Sequence, residues 1–161
     1  MPQVSFNSPV GPLTVTVEDG AVISVDWGWA AECEDTPLLA EARAQMEDYF
    51  DGRRTSFDLP LAPPGTAFQR RVWHAMSGIG YGQVLRYGEL AEAVGSAARA
   101  IGQVCARNPL PILVPCHRVL GHANGGLGHY SGPNGPDDLD TKLQLLRLEG
   151  AALPDQGRHA A

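Results

Sequence analysis

The sequence has no apolar run approaching the ~20 residues that a membrane-spanning helix needs. Its opening stretch, Met1 to Val10, carries neither a basic segment nor an apolar core. Neither a membrane span nor a secretory leader is therefore expected. Cysteine is scarce: Cys33, Cys105 and Cys116 are an odd number with no C-x-x-C spacing. That argues against a disulfide framework and a cysteine-rich zinc site, and points to a reducing cytoplasm. Positive charge is also short, with a net charge of −6, which speaks against a polyanionic partner until its distribution is considered. Residues 1–60 hold 3 Arg against 11 Asp and Glu, whereas residues 65–130 hold 6 Arg against only Glu89 and Glu92. Charge asymmetry of this kind hints at an interaction surface on the second half. A field this modest cannot bind tightly by electrostatics alone.

What is present is enough apolar material, 43% of 161 residues, to bury a core in one medium domain or two small ones. Val4 to Ser8, Leu13 to Val17 and Ala21 to Trp27 are rich in strand-forming residues, and Asp19-Gly20 between the last two is a hairpin signal. Thr36-Pro37 starts a helix with Leu38, Leu39, Ala42, Met46 and Tyr49 near one face, ended by Asp51-Gly52. The Pro-rich stretch 60–65 reads as a linker. Thr66 and Gln69 are spaced as a capping box before Phe68, Val72, Trp73 and Met76. Glycines 78, 80 and 82 end that helix. Helices over 87–94 and 97–106, joined at Gly95-Ser96, form a helix-turn-helix candidate. Ile112-Leu113-Val114 is expected to be a short buried strand, and a Gly-rich loop from Gly121 to Pro136 leads to a last helix over 139–148. The expected division is 1–60, a linker 61–65, a second domain 66–150 and a loose tail 151–161.

Val114 precedes Pro115 and is held extended, so Cys116 sits where a strand gives way to a turn and can face a pocket. Most free cysteines are small buried apolar residues, and Cys33 and Cys105 are read that way. Cys116 differs because His117 and Arg118 follow it, and basic neighbours favour the thiolate. Adjacent side chains diverge, so a bridging water is the expected link between sulfur and imidazole.

Pro115-Cys116-His117-Arg118-Val119 resembles the signature of the methylated-DNA–protein-cysteine methyltransferases (O6-alkylguanine-DNA alkyltransferases), single-unit bacterial type. Asn108-Pro109, Tyr130-Ser131-Gly132 and Leu148-Glu149-Gly150 are similar to that family in order and spacing. So are Phe68-Gln69, Val72-Trp73, residues 87–91, residues 97–102 and the early run 8–13, so that the resemblance covers roughly 5–150. It implies an α+β fold: a small ribonuclease H-like sheet with a helix, then a mostly helical winged helix-turn-helix-type domain carrying Cys116. It implies repair of DNA by stoichiometric transfer of an alkyl group from O6-alkylguanine, with O4-alkylthymine as a further substrate, to Cys116. The target base would be flipped from the minor groove, and the spent protein would be inactive. A monomer acting on double-stranded DNA is implied, with no cofactor, no metal and no membrane.

By the same resemblance His117 would be the base, acting through water and oriented by Glu149. Tyr87 would donate toward guanine N3, and the carbonyls of Cys116 and Val119 would accept from the guanine amino group. The Ser131 backbone would face O6, Lys142 would support developing charge, and Asn108 would brace the turn. Arg99 matches the family's arginine finger. The helix pattern adds a physical argument: Arg99, Gly102, Gln103 and Ala106 share one face and Ala97, Ile101 and Val104 the other. An ordinary helix is ~10–12 Å across and the minor groove only ~6 Å wide, so Gly102 and Ala106 would permit close approach.

The loop 133–138 is about five residues longer than in many relatives, and Gly80 stands where proline is common. No Cys/His set suits a structural zinc. Three other classes are rivals on the sequence: a lesion-binding module without chemistry, which Cys116 argues against, a helix-turn-helix regulator, and a cysteine hydrolase.

Overall fold

A computed structural model describes residues 1–153. The chain forms two compact units, Met1–Pro64 with Pro109–Leu113, and Gly65–Asn108 with the chain from Val114 onward.

In the first unit β1 (Gln3–Phe6), β2 (Leu13–Glu18) and β3 (Ala21–Trp27) make an antiparallel sheet in that order. β1 is shorter than expected because Ser8 closes a turn, its hydroxyl donating to the Gly11 carbonyl at 2.6 Å. The β2–β3 turn takes left-handed dihedrals at Asp19 (φ 51°) and Gly20 (φ 78°), as the right-handed twist of a two-residue hairpin requires. The register shifts between Thr16 and Val17, which pair with Ser24 and Val22, so β3 carries a bulge. Helix α1 (Pro37–Phe50) starts on Thr36, whose hydroxyl accepts from the Leu39 N–H, and buries Leu39, Ala42, Gln45, Met46 and Tyr49. Pro60–Ala62, read as linker, runs beside Val22, accepting its N–H and donating to its carbonyl.

Across the sheet a directed hydrogen-bond chain runs from Ser5 to Thr14 (2.8 Å) and from Thr14 to the Gly28 carbonyl (2.8 Å). Ala30 and Cys33 donate into Ser5. Cys33 is exposed, not buried as expected: its segment lies over this polar edge, where the thiol finds a hydroxyl rather than an apolar pocket.

The expected strand at Ile112–Val114 is a correction. These residues are buried, but Ile112 and Leu113 form a turn with Ile112 at φ 76°. A β-branched residue reaches that region only under tertiary constraint, so the apolar run gives burial without a strand.

In the second unit α2 (Ala67–Ser77) has both halves of the Thr66–Gln69 capping box in place. Its Trp73 is buried and donates its indole N–H to the Val104 carbonyl at 3.3 Å. β4 (Leu85–Arg86) leads directly into α3 (Tyr87–Val94). Gly95 (φ 69°) ends α3 left-handed, and Ser96 N–H returns to the Ala91 carbonyl, the Schellman closure that turns the chain into α4 (Ala98–Ala106). A single 3₁₀ turn, Cys116–Arg118, runs into β5 (Val119–Leu120), which pairs in parallel with β4. After a short irregular turn, α5 (Ala123–Gly126), the chain reaches α6 (Leu139–Leu148). Of the expected tail, Ala151 and Leu153 pack against the cluster of Leu120, Leu127 and Leu146; residues 154–161 lie outside the described ones.

Asp138 fixes both the loop before α6 and the helix start. Its carboxylate accepts from the Thr141 N–H and hydroxyl and from the Asn134 N–H and side-chain amide, at 2.8–3.2 Å. Asp138→Ala removes the cap and the loop anchor together. The expected loss is about 2 kcal/mol of unfolding free energy, read as a lower urea midpoint with an unchanged slope.

Candidate active site

Cys116 follows a tight bend. Pro115 sits at φ −81°, ψ 68°, and the Cys116 N–H donates to the Val114 carbonyl at 2.8 Å, the geometry of an inverse γ-turn. Asn108 holds this bend by donating its side-chain amide to the same carbonyl at 2.8 Å, and it also hydrogen-bonds the Cys116 thiol. The thiol is buried, and burial pushes its pKa up; the Asn108 contact and the Lys142 charge oppose that rise. At rest Cys116 is therefore a thiol. The side chains of His117 and Arg118 diverge from the sulfur, as the sequence suggests for adjacent residues, and both turn to Glu149.

That carboxylate is wholly buried. Arg118 grips it with Nε to Oε1 (2.8 Å) and Nη2 to Oε2 (2.9 Å), and Nη1 donates to the Ile79 carbonyl at 2.5 Å. His117 Nε2 lies 2.8 Å from Glu149 Oε2, so a neutral imidazole donates Nε2–H there and turns a lone pair out at Nδ1. His117 Nδ1 is buried without a hydrogen-bond partner among the described residues. Burial lowers the His117 pKa; Glu149 opposes this and Arg118 adds to it. The Arg118 fork was missed by the sequence reading, which took Arg118 only as a basic neighbour of Cys116.

Tyr87 is brought beside this segment by the β4–β5 pairing. Its ring occupies a slot made by two glycines: a Cβ on Gly121 or Gly128 would lie 2.7–2.8 Å from ring atoms. The hydroxyl donates to the His129 carbonyl and accepts from the His129 N–H, both at 3.3 Å, and burial raises its pKa to about 12. Lys142, the chain's only lysine, is fully buried. Its ammonium donates to the carbonyls of Val119 (2.7 Å), Leu127 (2.6 Å) and His129 (2.9 Å). Burial draws its pKa down to about 8.

A cavity of about 520 Å³ gathers Tyr87, Cys116 and Ser131 with Arg99, Gly102 and Gln103 of α4. His117, Glu149, Asn108, Val119 and Lys142 do not line it; their bonds place them behind Cys116 and Tyr87. Arg99, Gln103 and Ala106 are exposed, while Ile101 and Val104 are buried; Ala97, expected on the buried side, is exposed because it stands at the cap position before the helix. Nothing lies within 4 Å of a Cβ added at Gly102, so no packing inside the protein demands that glycine. Cys105, expected to be an inert core residue, is half-buried on the cavity wall, with its thiol 3.5 Å from the Met76 sulfur. His129, Pro136 and Asp137 also line the cavity, so the long loop borders it. Among the described residues no group of three or more His, Cys, Asp or Glu could hold a metal ion, and no helix is long and apolar enough to cross a membrane.

Two family models match the chain: the 6-O-methylguanine DNA methyltransferase ribonuclease-like domain over residues 4–63, and the DNA-binding domain of the same enzyme over 67–151. The constitutive methylated-DNA–protein-cysteine methyltransferase of Bacillus subtilis is 44% identical over 155 residues, covering 88% of this chain and 91% of that one. The Methanosarcina acetivorans protein of the same name is 42% identical, covering 91% and 96%. The crystal structure of Mycobacterium tuberculosis OGT in complex with DNA aligns with a TM-score of 0.81 at 36% identity over 97% of each chain. With both family models matched and relatives of this similarity along nearly its whole length, the chain belongs to the 6-O-methylguanine DNA methyltransferase family, the methylated-DNA–protein-cysteine methyltransferases of DNA repair.

Proposed function

We propose that Cys116 is the permanent acceptor of the alkyl group of O6-alkylguanine in double-stranded DNA, with O4-alkylthymine as a second substrate. The observation that carries this reading is the shared cavity: a buried thiol backed by a His–Glu–Arg chain, facing a helix whose outer face carries the small Gly102 and Ala106 beside Arg99 and Gln103. A monomer presses α4 into the minor groove, where Gly102 and Ala106 allow close approach and Gln103 meets the groove wall. Arg99 fills the stack left by the nucleotide turned into the cavity.

His117 Nδ1 takes the Cys116 proton through one water molecule, and Glu149 steadies the imidazolium that forms. The thiolate attacks the alkyl carbon, the S–C bond forms as the C–O6 bond breaks, and the electron pair passes into the guanine ring. Tyr87, which holds its proton tightly, donates toward N3, and the Ser131 N–H supports O6. The carbonyls of Cys116 and Val119 receive the guanine amino group; each already accepts one protein hydrogen bond, and a carbonyl has two lone pairs. Lys142 acts through its charge alone, since its three N–H groups are engaged. The thioether has no route back to thiol, so each molecule reacts once.

Intact-protein mass after incubation with an O6-methylguanine duplex tests this directly. Wild type gains one methyl group and Cys116→Ser gains none; lesion binding without an adduct on wild type defeats the reading. Arg99→Ala slows transfer from the duplex by roughly 10- to 100-fold, because flipping costs a few kcal/mol, while transfer from free O6-methylguanine base keeps its rate. The single-turnover rate also reports His117. Its folded pKa is depressed, so the neutral base persists as pH falls through 6.5, the ordinary histidine value. The rate stays level there and declines only in a more acidic range; a midpoint at or above 6.5 contradicts a buried imidazole base.

A further inference from the structure

Asp137 is the only carboxylate among the described residues that line the Cys116 cavity. It belongs to the long loop, and its place is fixed from several sides. Its backbone is left-handed at φ 56°, and its Oδ1 accepts from His129 Nδ1 at 2.6 Å. Its neighbour Asp138 anchors the loop to the start of α6. Across the loop, Gly132 and Gly135 exchange two backbone hydrogen bonds. The carboxylate therefore stands on a braced wall. Its charge reaches both Tyr87 and Lys142, although burial weighs more on each. Of the basic side chains on the cavity, Arg99 is assigned to the base stack and His129 is hydrogen-bonded to Asp137.

We propose that Asp137 sets a charge preference for the group on O6: it disfavours anionic substituents such as carboxymethyl and favours cationic ones such as 2-aminoethyl, relative to methyl. This rests on Cys116 as the alkyl acceptor. A fixed negative charge at the cavity wall repels a second one brought in with the base, and the half-exposed setting limits the effect to the moderate range of a partly screened pair.

Asp137→Asn isolates the charge. Asparagine tolerates the left-handed backbone, and its side-chain oxygen can still accept from His129. Single-turnover rates are measured on duplexes carrying O6-methyl-, O6-carboxymethyl- and O6-(2-aminoethyl)guanine, for wild type, Asp137→Asn and Asp137→Gly. The methyl rate of each protein is the internal reference for folding and DNA binding. In both variants the carboxymethyl-to-methyl ratio rises on the order of three- to tenfold, the aminoethyl-to-methyl ratio falls by a similar factor, and high salt shrinks both changes. Ratios that stay put, or that shift in the same direction for both larger groups as a steric wall would give, overturn the charge preference while leaving the acceptor role intact. Failure of wild type to place methyl on Cys116 overturns the acceptor role, and this inference with it.

Discussion

Glu149 closes α6 with a carboxylate removed from water, and a charge in that position is tolerated only when it is paired and hydrogen-bonded. Arg118 takes both oxygens in a fork and His117 takes the remaining direction on Oε2. The 3₁₀ turn that carries Cys116 therefore has one place to sit, against the end of α6. Arg118 Nη1 extends the same constraint to the Ile79 carbonyl after α2. Replacing a buried ionic cluster of this kind by apolar groups of similar volume is often neutral or stabilising. What the ionic arrangement supplies is orientation: with Nε2 held on the carboxylate, the imidazole turns Nδ1 away from it, buried and without a hydrogen-bond partner among the described residues.

Cys116 rests protonated because burial outweighs the help of Asn108 and Lys142. A reactive thiolate held permanently in a cavity would be open to oxidation and to stray electrophiles. If Cys116 is the acceptor proposed above, a buried thiol that ionises only when a base takes its proton would be kept for its substrate. Lys142 and Tyr87 follow the same pattern of groups held away from their ordinary titration by burial, with His129 backbone atoms bonding both.

Local features were legible in the sequence. The Thr66–Gln69 box, the Asp19-Gly20 turn and the Gly95 stop depend on a few consecutive residues, and each takes its expected form. The split of α4 into a buried Ile101–Val104 side and an exposed Arg99–Gln103 side follows from helical period alone. Features imposed from a distance were not legible. Ile112 enters a left-handed turn that no β-branched residue chooses by itself. β4 and β5 are two residues each, too short to show a period. The fork of Arg118 spans 31 positions to Glu149, and its only trace in sequence is an arginine next to a histidine already under suspicion. Cys105 read as core because nothing local distinguishes a core face from a cavity wall.

The caged lysine has a consequence for the whole surface. Since Lys142 is the chain's only lysine and is fully buried, every outward-facing side-chain cation other than histidine is a guanidinium. Guanidinium groups keep their charge beyond pH 12 and meet anionic oxygens with two parallel hydrogen bonds rather than as point charges. What the surface can offer a polyanion is therefore a set of two-pronged contacts, each tied to the geometry of an arginine fork.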